Sequence, residues 1–160
     1  MFSIGDKIVY PMHGAGVISK IEKKHVLGED KEYFIIEMPM SEIKISVPVD
    51  MINKVGIRYV NDENIVSLVF EILKDKKSLM STNWNKRYRD NMEKLKKGNI
   101  LETAEVVRNL YLMDYEKALS TGEKKMLNAA IKILISELII IKGYDYEEIK
   151  RKIKNIILEG

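Results

Sequence analysis

The chain of 160 residues holds one ordinary domain or two small ones, and its 46% of apolar residues suffices to build a core. The absence of cysteine excludes a disulfide framework and any thiolate metal site, and it fits a reducing compartment, the cytoplasm. The net charge of +3 is unevenly laid. Residues 1 to 60 carry eight basic and eight acidic side chains, whereas residues 74 to 98 carry nine basic and three acidic ones. Such an excess marks either a polyanion partner or a solvated lysine-rich face. Asp6 and Lys7 fall where a signal peptide would carry its apolar stretch, and the run ILISELIII is broken by Glu137, so neither export nor membrane spanning is expected.

From Lys7 to about Val60 the apolar residues alternate or come in short β-branched runs, KIVY, GVISKI, EYFIIEM and EIKISV. Turn signals separate them at Pro11 to Gly14, Gly28 to Asp30, Pro39 to Ser41, and Pro48 with Asp50. This predicts four or five short antiparallel strands. So few residues bury little as an open sheet, so the expected form is a small curled barrel of SH3-like or Tudor-like size that covers most of its own edges.

After about residue 61 the spacing turns helical. Ile65, Leu68, Val69, Ile72 and Leu73 form the first stripe, with Asn61 and Asp62 as candidate caps. A second helix is expected from Asn83 to Lys97, stopped by Gly98. A third covers about Glu102 to Leu119, with Val106, Val107, Leu110, Met113 and Ala118 near one side. The fourth opens on Ser120-Thr121-Gly122-Glu123, a capping box in which hydroxyl and carboxylate satisfy backbone donors reciprocally, and ends near Gly143. Asp145 with Glu148 starts a last short helix carrying Ile149, Ile153, Ile156 and Ile157. The fold class is therefore α+β in two parts, a β module over residues 1 to 60 and an all-α module of four or five helices over 61 to 160.

Chemistry-bearing motifs are scarce. His13 and His25 have no second ligand at metal spacing, and the glycines of HGAG lie between two strands instead of opening onto a helix. No nucleophile sits beside a histidine, so no catalytic residue, metal, cofactor or small-molecule substrate is expected, and the chain is not expected to be an enzyme. The one tryptophan stands apart. Trp84, Tyr88, Met92 and Leu95 make an acceptable core stripe. Yet Trp84 falls in the first turn, among Asn83, Asn85, Lys86 and Arg87, an arrangement suited to stacking on a base or wedging into a groove while cations hold phosphates. Local chemistry leaves the two readings level.

The segments IGDKIVYPMHGAGVI, GEDKEYFIIEM, VPVDMI, TNWNKRYRDNMEKLKKG, AEVVRNL and LSTGEKKML, in this order and spacing, resemble the CarD/CdnL family of bacterial RNA polymerase-binding transcription regulators. The likeness covers both modules and all but about the last fifteen residues. Transcription-repair coupling factors share a similar first module, but their helicase motors are not found in this sequence. The resemblance implies a Tudor-like domain that docks on the lobe of the polymerase β subunit, and a helical domain that meets promoter DNA at the upstream edge of the bubble. Trp84 would wedge into the minor groove at the fork, with Lys86 and Arg89 on phosphates, Arg87 as a helper and Lys124 as a further basic contact. On the β module the polymerase contacts would fall on Lys24, Val26, Lys44, Ser46 and Pro48. Lys24 stands where an arginine is common. Ser46 departs from a common arginine and cannot pair bidentately with a carboxylate, a charge that Lys44, two residues back on the same strand face, could supply.

The function so implied is stabilisation of the open promoter complex without sequence-specific readout, by a monomer that is nucleoid-associated through polymerase. A general nucleic-acid-binding protein with no polymerase partner and a helical protein adaptor are the rival expectations.

Overall fold

The computed structural model describes residues 1–159. Five antiparallel strands come first: β1 (Lys7–Tyr10), β2 (Gly14–Val26), β3 (Glu29–Met38), β4 (Ile43–Pro48) and β5 (Arg58–Tyr59). They lie in the order β4-β3-β2-β1-β5, so consecutive hairpins build the sheet and only β5 returns to pair with β1. The turns fall at the expected signals. Leu27 and Gly28, both at positive φ, close the long β2–β3 hairpin, in which Val26 faces Glu29. The sheet curls round Ile8, Ile18, Phe34, Ile36, Val47 and Ile57, and an irregularity between Ile18 and Lys20 gives β2 the kink that curling needs. No ladder joins β4 to β5 among the described residues, so this Tudor-like unit closes by apolar packing and leaves β4 as an edge.

Five helices follow: α1 (Ile65–Lys74), α2 (Trp84–Lys96), α3 (Ile100–Glu116), α4 (Thr121–Lys142) and α5 (Tyr146–Glu159). The architecture is thus α+β in two parts. Their shared core gathers Val69, Leu73, Leu95, Val107, Leu110, Leu134, Leu138 and Ile153. Three expectations need correction. α1 buries Val66, Val69 and Leu73 and exposes Leu68, a stripe turned by one residue. α3 begins earlier, because the Asn99 side chain accepts from the Leu101 and Glu102 amides, and it ends before Ala118, which is exposed. Asn61 is no cap. Its amide and side chain both donate to Glu137, while the Asp62 carboxylate takes the Asn64 amide.

Glu137 is the hub of the seam between the modules. Buried to 3% exposure in α4, it takes a two-pronged pair from Arg58 of β5, with Nη2 to Oε1 at 2.7 Å and Nη1 to Oε2 at 2.9 Å. Arg58 Nε reaches on to the Gly98 carbonyl at the end of α2, 2.7 Å away. Beside it, Ser136 Oγ accepts the Ala15 amide at 2.9 Å. A Cβ on Gly14 would stand 2.6 Å from that hydroxyl, so β2 and α4 meet this closely only at glycine. A carboxylate buried in an apolar helix is costly unless every oxygen is paired, and here each is.

Candidate nucleic-acid interface

The nine residues between α1 and α2 carry no regular structure but are tied down. The Ser78 amide donates to Asn109 Oδ1 at 2.9 Å, and the buried Arg108 reaches Ser78 Oγ at 2.6 Å and the Ile72 carbonyl at 2.9 Å. This fixes where α2 starts. Asn83 caps it by accepting the Lys86 amide, which places Trp84 at the first helical position, with its side chain leaning back beyond the helix end.

The indole is 46% exposed. Its inner face stacks on Tyr88, with ring centroids 5.8 Å apart and planes 25° apart, and its Nε1–H donates to Ser120 Oγ at 2.9 Å. Ser120 is the cap of α4. Its hydroxyl also accepts the Glu123 amide at 3.3 Å and donates to Glu123 Oε1 at 3.1 Å. Gly122 lies under the ring edge, where a Cβ would be 3.9 Å from the indole. Trp84 is therefore neither a core residue nor a loose surface one. It is a half-exposed plate with one face and its polar atom anchored.

The capping box differs from the expected reciprocal form. The Glu123 carboxylate, 2% exposed, is turned to Arg87, which binds it with Nε at 2.8 Å and Nη2 at 3.0 Å and also reaches the Ser81 carbonyl. Hydrogen bonding from Arg87 holds the Glu123 carboxyl below the usual carboxylate range, and the same bond raises the guanidinium. With only 11% of its side chain exposed, Arg87 is committed to joining α2 to α4. Its guanidinium, expected to help hold phosphate, is engaged here by Glu123 and the Ser81 carbonyl.

The other cations point outward. Lys86 pairs with Asp90 along the helix at 3.0 Å, with both partners exposed. Arg89, one turn on, and Lys124, in the first turn of α4, are exposed and have no ion pair among the described residues. Much of the basic run is internally matched, since Lys77, Lys94 and Lys97 face Glu116, Glu105 and Glu102. The cations of the run left without an ion pair among the described residues are the exposed Lys74, Lys76, Arg89 and Lys96, of which Arg89 shares α2 with Trp84 near its start.

The residues expected on the β module also share one face. In register, Glu22 faces Tyr33, which faces Pro48; Ile35 faces Ser46; and Glu37 faces Lys44. Strand alternation puts Lys24, Val26, Lys44, Ser46 and Pro48 together on the face away from the apolar cluster. Lys24 crosses β3, its ammonium 5.1 Å from the Tyr33 ring centroid, and donates to Ser46 Oγ at 3.1 Å. The short serine leaves room for that ammonium beside the edge strand. Lys44 stands 3.5 Å from Glu37.

Comparison with known proteins covers both modules. Residues 2–61 match the model of the CarD-like/TRCF RID domain, and residues 68–154 that of the CarD C-terminal domain. The chain is similar to "Putative transcription factor YdeB" of Bacillus subtilis (strain 168), at 45% identity over 150 residues, which are 94% of this chain and 98% of that protein.

Proposed function

The chain belongs to the CarD family of transcription factors, and from that premise we propose that its sheet docks on the RNA polymerase β subunit while Trp84 wedges into the promoter minor groove at the upstream fork of the bubble. The observation that carries this reading is the anchored, half-exposed indole at the start of α2, with the exposed Arg89 on the same helix and the exposed Lys124 just past the indole's Ser120 partner, both without an ion pair among the described residues. Stacking needs a flat face held at low entropic cost, and phosphates need cations not already spent.

The first module would dock through the face bearing Lys24, Val26, Lys44, Ser46 and Pro48 on the lobe of the β subunit. Here Lys24, seated beside Ser46, supplies the positive charge. Arg87 does not touch DNA in this account; with Glu123 and Ser120 it orients the indole. Lys86, Arg89 and Lys124 hold the backbone, the first by exchanging Asp90 for phosphate.

The mechanism is differential affinity. A plate that fits only an opened or distorted fork favours the open complex and adds nothing to the closed one. A coupling of about 1–3 kcal/mol changes the open population about 5- to 150-fold. A few phosphate contacts and one aromatic bind DNA weakly alone, and docking on polymerase turns that contact intramolecular. The test compares the full chain on promoter DNA with and without RNA polymerase. The account expects longer-lived open complexes with polymerase and weak binding without it. Tight binding to DNA alone at about 0.15 M salt, an ionic strength that already screens exposed charges, would favour a general nucleic-acid-binding protein.

A further inference from the structure

The cations of α5 lie outside the site just described. Lys150, Arg151 and Lys154 are exposed and, like Lys124, have no ion pair among the described residues. With Tyr111 of α3 and Ile131 of α4 they border a cleft of about 260 Å³, where Glu147 is the one acid. Ile131 follows Lys124 by seven residues, two helical turns, and so lies on the same flank of α4, about 10 Å further along. The cleft is thus in line with the first-turn lysine that stands beside Trp84. That distance is about three base steps at 3.4 Å per step.

We infer that Lys150, Arg151 and Lys154 form a second duplex-backbone contact, continuous with the Trp84 site through Lys124, that holds promoter DNA upstream of the fork. This rests on the fork reading above. A lysine row that merely solvates a helix would be spread round its exposed side. Here three of the four α5 cations gather on the cleft side, while the fourth, Lys152, is turned away and lies 4.6 Å over the Phe70 ring of α1. The charge is placed for a backbone that has already met Lys124. Its chemistry is phosphate, since the patch offers cations and two part-buried phenols, Tyr111 and Tyr146, the second already facing the Lys150 ammonium 5.8 Å from its ring centroid.

The experiment measures open-complex lifetime on one promoter against KCl concentration, with RNA polymerase and the full chain as wild type, as Lys150→Ala/Arg151→Ala/Lys154→Ala, as Lys152→Ala and as Trp84→Ala. The salt slope without the chain is subtracted. The triple variant is expected to lower the stimulated lifetime at least several-fold and to make the remaining slope shallower by about 2 to 3, the counterion release of three phosphates. Lys152→Ala should match wild type. The inference is overturned if the triple variant matches wild type while Trp84→Ala loses the stimulation, and equally if Lys152→Ala alone is as damaging as the triple variant. If Trp84→Ala also matches wild type, the fork reading fails with it.

Discussion

Ser120 Oγ serves three partners at once: the indole N–H, the Glu123 amide and the Glu123 carboxylate. Removing it should cost about 1 kcal/mol as a lost helix cap and free the ring. Because Trp84 is the only tryptophan, its fluorescence reports this directly. Ser120→Ala is expected to lower the emission anisotropy and to shift emission to the red, with the fold intact; an unchanged spectrum would show that Tyr88 alone holds the ring. Glu123 gives a prediction in pH. Its folded-state carboxyl lies below the ordinary value near 4.5, so the stabilisation from Arg87 is fully present above that value and is lost as pH falls through the lower folded one. Thermal stability should therefore drop steeply below about pH 4.5 in wild type. Glu123→Gln should cost about 3 kcal/mol at neutral pH by leaving a buried guanidinium unmatched, and should show a flatter acid limb in the same melting series. The sequence marks Trp84 as ambiguous because its stripe with Tyr88 is real. What it hides is the partner at Ser120, thirty-six residues away, and the diversion of Glu123 to Arg87. Spacing alone shows a capping box there, and a capping box does not reveal that its acid has a second claimant.

At the scale of elements, α4 links the two modules to the site. Its N-terminal cap holds the indole, and sixteen residues on, Ser136 and Glu137 hold the sheet. The helix itself is legible in the sequence from its box and its terminal glycine, and Gly143 indeed sits at φ 70°. The acid inside ILISELIII reads there only as an interruption, although burial of that run requires a partner for it. The partner, Arg58, lies beyond reach of any periodicity argument. The same limit explains α1, where Val66 replaces Leu68 in the buried stripe because contacts with α3 and α5, not propensity, set its rotation. On β4 the alternation is enough to place Lys44, Ser46 and Pro48 on one face, but the Lys24 to Ser46 bond crosses a strand and needs the register. If that face docks polymerase, the full chain with Lys24→Glu/Lys44→Glu should lose co-purification with core RNA polymerase while melting as wild type. Undiminished retention would remove this face from the account.

Across the whole molecule, Arg58 and Asn61 converge on Glu137, and Arg58 also holds the Gly98 carbonyl, which together set the angle between the sheet and the helices. A wedge delivered from a docked module works only if that angle is held, because a loose joint dilutes the indole over many positions and lowers its effective concentration. Arg58→Ala removes one side of a pair whose other side is buried, and should cost about 2–4 kcal/mol. It should also widen the distance distribution between probes on β3 and α2 in the free protein and shorten open-complex lifetime without weakening polymerase binding. An unchanged lifetime with a widened distribution would show that polymerase itself fixes the angle. The two-part layout is legible because the period of the apolar residues changes near residue 61; the seam is not, being built from Arg58 and Asn61 on one side and Ser136 and Glu137 on the other, more than seventy residues apart. The central claim is tested most directly by Trp84→Ala in the full chain with RNA polymerase on a promoter. The account predicts a melting temperature close to wild type, undiminished polymerase binding and an open-complex lifetime that falls toward that of polymerase alone; a collapse of thermal stability, or a lifetime equal to wild type, would contradict it.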